Sequence, residues 1–362
     1  MLAPDFSSRW SRAKAMAAAE GLDALYITSG PNFAWLTGWT PYMGGWPIWL
    51  SCLVVPVSGD PVMVISGMHA NILDRDANPV KEILTYEDGE DPDRALRAAF
   101  AAAGVTGIAR LGVADNMWYG DSQLLQRTFT KLRLETASSI LDNMRAVKDA
   151  YELDLLRRSG ATVDAIYQRA AEVIRAGVRI GDAGLELMRI QLDRGALHPR
   201  IGGTFRRYEE RTFQQRELVD VDTGADYGGY STDTARNVFI GDPDPAMLES
   251  YAVVVSAYNA AEGAIRAGVP VDKVHDACAR VIEAAGHEQK WKVGHGVGLA
   301  DGHESPLLQP GNATPLEENM VLTIDPGFFV ARDIPLHIEH TVVVTKDGCE
   351  RLDNFTHEVL VV

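Results

Sequence analysis

Cysteine is scarce in this chain, with Cys52, Cys278 and Cys349 spread over 362 residues. Their spacing pairs none of them, which argues against a disulfide framework or a thiolate zinc knuckle and fits a reducing compartment. Basic residues are also short. Lys plus Arg is 34 against 50 for Asp plus Glu, a formal net charge of −16. A surface of that sign repels phosphate backbones and anionic membranes alike. Long hydrophobic runs are missing too. The longest, WPIWLSCLVVPV at 46–57, is too short to span a bilayer and contains prolines. The N-terminal stretch MLAPDFSSRWSRAKAMAAAEG lacks the basic-then-apolar order of a signal segment. Two catalytic signatures are absent as well. GHGVGLADG at 294–302 has no Lys-Ser or Lys-Thr after its last glycine, so it is no phosphate loop, and no His-Glu-x-x-His occurs. These absences lead to the expectation of a soluble cytoplasmic protein with neither nucleic acid nor membrane as partner.

What is present is enough for two domains: 362 residues, 46% of them hydrophobic. Residues 8–21 have a helical apolar face, and 22–28 (LDALYIT) reads as a buried strand. WLSCLVVPV, PVMVIS and KEILTY continue the strands, with helices expected over 94–103 and 122–132. That alternation predicts an α/β domain over 1–143. From Asp149 the texture changes to long amphipathic helices, one ending at Gly177 and another, over 245–267, ending at Gly268. The two helix ends repeat each other. Residues 174–178 and 265–269 both read I-R-A-G-V, 91 residues apart, and each follows an A-A-E triplet. This predicts that 144–362 is a duplicated helix-then-strands unit, with helices outside and a curved antiparallel sheet inside. A site between the halves then collects residues from both.

The second domain concentrates acids and histidines. Asp222 and Asp233 flank a glycine-rich turn, where a hairpin sets them side by side, and Asp220 shares the face of Asp222. An isolated Asp beside a turn is ordinarily a turn former. Asp325 ends an apolar strand before Pro-Gly. Glu339 stands within the apolar segment IPLHIEHTVVV, and a buried carboxylate there needs a cation or a donor. His295 lies between glycines, eight residues before His303. Four carboxylates and one imidazole suit a pair of divalent ions, with Mn, Co, Fe or Zn preferred over thiol-seeking metals. Two ions about 3.5–4 Å apart share bridging carboxylates and hold a hydroxide between them.

The segments D-T-G-A-D-Y-G-G-Y-S-T-D (222–233), G-H-G-V-G-L (294–299), H-E-S-P (303–306), T-I-D-P-G (323–327) and I-E (338–339) resemble those of the pita-bread metallopeptidases. That family includes aminopeptidase P, prolidase, methionine aminopeptidase and creatinase. G-L-D-A-L-Y-I-T (21–28), N-F-A-W-L-T-G (32–38) and M-R-A-V-K-D-A-Y-E-L (144–153) resemble its creatinase-type N-terminal domain and the start of the catalytic one. The resemblance covers nearly the whole chain. It implies Asp222, Asp233, His295, Asp325 and Glu339 as ligands, with Asp233 and Glu339 bridging, His303 stabilising the tetrahedral intermediate and Asp325 transferring protons. It also implies a homodimer, in which an aromatic loop such as Trp39, Tyr42, Trp46 and Trp49 completes the partner's pocket.

The chain departs from the family pattern in places. Asp325 stands where a Glu is usual, so the second ion is expected to shift, to bind more weakly or to be absent. His337 replaces the usual Arg before Ile-Glu. The loop between the histidines gains Asp301–Gly302, which makes Asp301 an alternative base. No histidine lies between Gly203 and Glu217, where Arg206, Arg207, Tyr208 and Arg211 stand instead. Arg206, Tyr208 and His337 are therefore the expected substrate contacts, and the arginines suggest a substrate carboxylate. The expected activity is metal-dependent hydrolysis of a C–N bond in a small molecule or short peptide, of the Xaa-Pro dipeptidase or aminopeptidase kind. The alternatives are a lyase resembling those that act on dimethylsulfoniopropionate, a creatinase-like metal-free hydrolase, and a non-catalytic binding module.

Overall fold

The structure, a computed structural model, describes residues 2–39, 49–107, 109–207, 210–289, 291–299, 303–331 and 334–362. The chain divides into two compact units, Ala3–Arg145 and Ala146–Val362.

The first unit alternates helices and strands. In order these are α1 (Phe6–Ala19), β1 (Ala24–Thr28), α2 (Pro31–Thr37), β2 (Cys52–Pro56), β3 (Val62–Ser66), α3 (Gly67–Ile72), β4 (Glu82–Tyr86), α4 (Asp93–Ala102), β5 (Ala109–Val113), α5 (Tyr119–Thr128), β6 (Leu132–Thr136) and α6 (Ser138–Ala146). The strands form one sheet in the order β4-β3-β2-β1-β5-β6. β1 pairs parallel with β5, β5 with β6 and β3 with β4, while β2 runs antiparallel to both neighbours. The apolar runs of β1 to β3 are buried on both faces, as a sheet covered by helices requires. Tyr42 and Trp46 of the aromatic loop lie outside the described residues. Trp39 and Trp49 each set a ring edge against His69, with centroids 5.8 and 5.7 Å apart.

The second unit opens on α7 (Ala150–Val173), which starts in a capping box of Asp149 and Glu152. There follow α8 (Ile180–Asp193), the short α9 (Thr204–Arg207), β7 (Leu218–Thr223), β8 (Thr234–Phe239), α10 (Pro245–Ala264) and α11 (Val271–Ala284). The remaining strands are β9 (Gly294–Gly296), β10 (Glu304–Leu308), β11 (Val321–Ile324), β12 (Gly327–Ala331), β13 (Ile334–His337), β14 (His340–Val344), β15 (Cys349–Arg351) and β16 (Leu360–Val361).

The repeated pentapeptide is a repeated structure. Ile174 and Ile265 are the buried C-caps of α7 and α10. Gly177 and Gly268 follow at φ +86° and +85°, the left-handed region that favours glycine. Backbone bonding then runs in step. Gly177 N donates to Phe213 O and Gly268 N to Leu316 O. Phe213 N returns to Val178 O, and Leu316 N to Val269 O. Each helix pair closes its own core: α7 and α8 over Val219, Val221 and Val238, and α10 and α11 over Val293, Leu322, Ile324 and Val342.

Strands β10-β9-β11-β14-β15 make an antiparallel sheet, β12 and β13 a hairpin, and β16-β8-β7 a third sheet in which β16 runs parallel to β8. The segment IPLHIEHTVVV, read from sequence as one strand, is two. β13 pairs with β12 and β14 with β11, so the chain changes partner at Ile338–Glu339. At that change Glu339 bridges to Ala235 of β8 and so connects the two halves of the unit.

Candidate metal centre

Alternation along β7 sends Val219 and Val221 into the helix-covered core and leaves Asp220 and Asp222 on the other face. Asp222 is opposite Ala235 in the hairpin register, which brings Asp233, two residues before Ala235, onto the same face. Glu339 reaches this face through its backbone bridge to Ala235, with N–O distances of 3.0 and 3.3 Å. Oxygen atoms of Asp222, Asp233 and Glu339 all lie within 4.8 Å of one another.

β9 supplies the nitrogen. A Cβ on Gly294 would meet Thr323 O at 2.1 Å, and one on Gly296 would meet Ser305 O at 2.2 Å. The glycines therefore let β11 and β10 close on either side and leave His295 as the functional side chain of the strand. Its Nε2 is 3.7 Å from Asp233 Oδ2 and 3.9 Å from Glu339 Oε1. The His303 ring stacks on that of His295 at 4.3 Å, and its Nε2 is 3.9 Å from Asp233 Oδ2. Asp233, His295 and His303 thus form a second set of potential donors within 4.8 Å, with Asp233 common to both sets.

Around the centre, Thr323 Oγ1 donates toward Glu339 Oε1 at 3.0 Å. Arg236 Nη1 donates to Glu339 O at 2.6 Å, and Thr341 Oγ1 accepts from Asp233 N at 3.1 Å. Next to His303 in sequence, Glu304 forms a buried ion pair with Lys148 at 3.1 Å.

The electrostatics call for cations. Burial, reinforced by Asp222, pushes the Asp233 carboxyl well above its usual range. Burial, then Asp233 and Asp325, does the same to Glu339. Asp222 is raised by burial and by Asp220. Mutually repelling buried oxygens with an adjacent imidazole are a donor set that fits hard divalent ions. The thiols take no part: burial pushes Cys52 and Cys278 up to about 12.

Asp325, the expected fifth ligand, lies beside His337. Its Oδ1 is 2.9 Å from His337 Nδ1, and among the described residues it joins neither donor set. One methylene shorter than Glu, its carboxylate is taken up by His337. His337 itself is an expected substrate contact. It is buried, with Nε2 2.9 Å from Asp220 Oδ1. Burial draws the His337 pKa down, but Asp220 and Asp325 together hold it well above the ordinary value. Arg206 is exposed on α9 and lines a groove of about 440 Å³ with Leu185, Met188, Arg200, Ile201 and Phe205. Tyr208 and Asp301 lie outside the described residues. His198 is exposed and pairs with Asp226 at 2.9 Å.

Sequence reading missed Arg200, whose Nη2 is 3.5 Å from Asp233 Oδ1. No motif marks it. The only available signal was its position two residues before the Gly202–Gly203 pair, where Gly202 N donates to Asp222 O at 2.6 Å.

A family model described as Metallopeptidase family M24 matches residues 154–346, and one described as Creatinase/Prolidase N-terminal domain matches 9–147. The probable dipeptidase PepE of Mycobacterium tuberculosis is 29% identical over 99% of this chain and 96% of its own length. The Xaa-Pro dipeptidase of Pyrococcus horikoshii is 23% identical over 94% of this chain and 95% of its own. The crystal structure of dipeptidase PepE from Mycobacterium ulcerans superposes with a TM-score of 0.86 at 28% identity, covering 99% of this chain and 98% of that one.

Proposed function

The chain belongs to metallopeptidase family M24, and from that premise we propose that it is a metal-dependent hydrolase cutting the C–N bond of Xaa-Pro dipeptides. The observation that carries the reading is the convergence of Asp222, Asp233 and Glu339 oxygens within 4.8 Å, all three pushed toward protonation in the absence of a cation. The relatives named above are dipeptidases, which favours hydrolysis over the elimination alternative.

In this reading Asp222, Asp233, Glu339 and His295 would hold two divalent ions of the Mn, Co, Fe or Zn kind. Bound there, the ions supply Lewis acidity toward the scissile carbonyl and lower the pKa of water. His303, its side chain 60% exposed and its Nε2 near Asp233, donates to the oxygen on which charge develops. Asp325, oriented by His337, accepts a proton from the attacking water and returns it to the departing nitrogen. Proline nitrogen is a poor leaving group until protonated, so that return is essential. Two further readings accompany this one: a homodimer and a cytoplasmic location. They are supported by the family resemblance.

The test is reconstitution. Chelation should lower hydrolysis of Xaa-Pro dipeptides by at least about 100-fold, and manganese or cobalt should restore it. If no Xaa-Pro dipeptide is hydrolysed after metal loading, the assignment fails. Oxygen-18 from solvent should appear in the product carboxylate.

A further inference from the structure

Resting on the two-ion reading, we propose that His337 is a positioning residue that makes the two ion sites unequal. It holds Asp325 aside, and the second ion gains this carboxylate only by breaking the Asp325–His337 contact.

The two donor sets differ in charge. Asp222, Asp233 and Glu339 bring three carboxylates together without Asp325. Asp233, His295 and His303 bring one carboxylate, already counted in the first set, and two imidazoles. A divalent ion at the second set therefore depends on a further acid. Asp325 is the acid at hand: its charge acts on both Asp233 and Glu339.

His337 restrains that acid, and its own position is built. Its backbone N donates to Asn237 Oδ1 at 2.8 Å, and it stands opposite Gly327, where a Cβ would meet the His337 Cβ at 2.5 Å. One face of the ring meets the edge of Trp291, at 6.3 Å and 87°. Both ring nitrogens have a carboxylate at 2.9 Å, Asp325 on Nδ1 and Asp220 on Nε2. Asp220 is fixed in turn. Its N donates to Thr204 Oγ1 at 2.9 Å, and Gly203, at φ +62°, lets the chain pass where a Cβ would meet Asp220 Oδ2 at 2.7 Å. Asp325 is tied through its backbone as well, since Trp291 Nε1 donates to its O at 3.0 Å. Asp turns on two side-chain bonds only, so with the backbone held the carboxylate cannot cross to the donor sets and keep His337. Breaking a hydrogen bond to a charged group weakens the competing equilibrium by about 10- to 150-fold. The contact that orients Asp325 for proton transfer is thus the one that withholds it from the ion.

The experiment titrates manganese into chelator-treated protein by calorimetry and counts ions after dialysis by elemental analysis. The wild type should bind two ions with Kd values separated by about 30-fold or more, and keep close to one per chain on dialysis. His337→Leu should tighten the second ion by about 10-fold or more, leave the first within about 3-fold, and retain close to two. Asp325→Glu, which leaves His337 in place, should tighten the second ion as well. In the His337→Leu background, Asp325→Asn should abolish the gain. A side chain that served packing alone would give no such gain. The proposal is overturned by two ions of like affinity in the wild type, by a second ion unchanged or weakened in His337→Leu, or by a gain that survives Asp325→Asn and so comes from the histidine charge alone. Any of these leaves the metal-dependent reading standing. If neither the wild type nor His337→Leu takes up an ion, that reading fails and the proposal with it.

Discussion

Asp233 belongs to both donor sets, so it is where a single substitution separates structure from chemistry. Asp233→Asn keeps the shape and removes the charge. It should lower kcat/KM at least about 1000-fold together with bound metal, while the fold survives, as circular dichroism and elemental analysis will show. The raised carboxyls also set a pH dependence. Asp222, Asp233 and Glu339 have folded pKa values above their unfolded ones, so the metal-free native state binds the extra protons. Their contribution to its stability is therefore fully present below the ordinary carboxylate range, about pH 4, and is lost as pH climbs through the raised values. Divalent ions displace those protons. The gain in Tm on adding manganese should be larger at pH 8 than at pH 6, and a smaller gain at pH 8 would contradict the coupling. Asp325→Glu should strengthen occupancy of the second ion, because the added methylene lets the carboxylate extend beyond His337.

At the scale of elements, two glycines make opposite predictions. Gly268 has positive φ but open space around its missing Cβ, so Gly268→Ala should cost only about 1 kcal/mol of strain. Gly294 has neighbouring backbone 2.1 Å from its would-be Cβ, so Gly294→Ala must pry β9 from β11 and should cost about 2–4 kcal/mol, measurable by denaturant titration. The elements themselves were largely legible. Apolar period and glycine stops gave α7 and α10 to within a few residues, and the hairpin placing Asp222 beside Asp233 followed from alternation. The break at Ile338–Glu339 was not legible, since it depends on which strand each stretch pairs with, and a local pattern carries no partner information. For the same reason the partners of His337 were not legible: its two carboxylates are 12 and 117 residues away in sequence. Arg200 was passed over because an isolated arginine before Ile-Gly-Gly looks like a loop residue.

For the whole molecule, each unit encloses its own core, and the donor residues belong to the second. Calorimetry should accordingly resolve two transitions on metal loading, with only one moved upward. A single transition shifted as a block would reject independent units. Within the second unit, Lys148→Met would remove the Lys148 charge from beside the buried Glu304 carboxylate. It should cost about 3–5 kcal/mol, and the reciprocal Glu304→Gln should be comparably harmful. The duplication adds a requirement of a different kind. Asp222 and Asp233 come from one repeat and His295 and Glu339 from the other, joined where Ala235 meets Glu339. Were the chain severed at the exposed turn near Asp242, neither fragment would own a full coordination shell. Ion affinity would then report how faithfully the two pieces reassemble, and the cation itself would act as their adhesive.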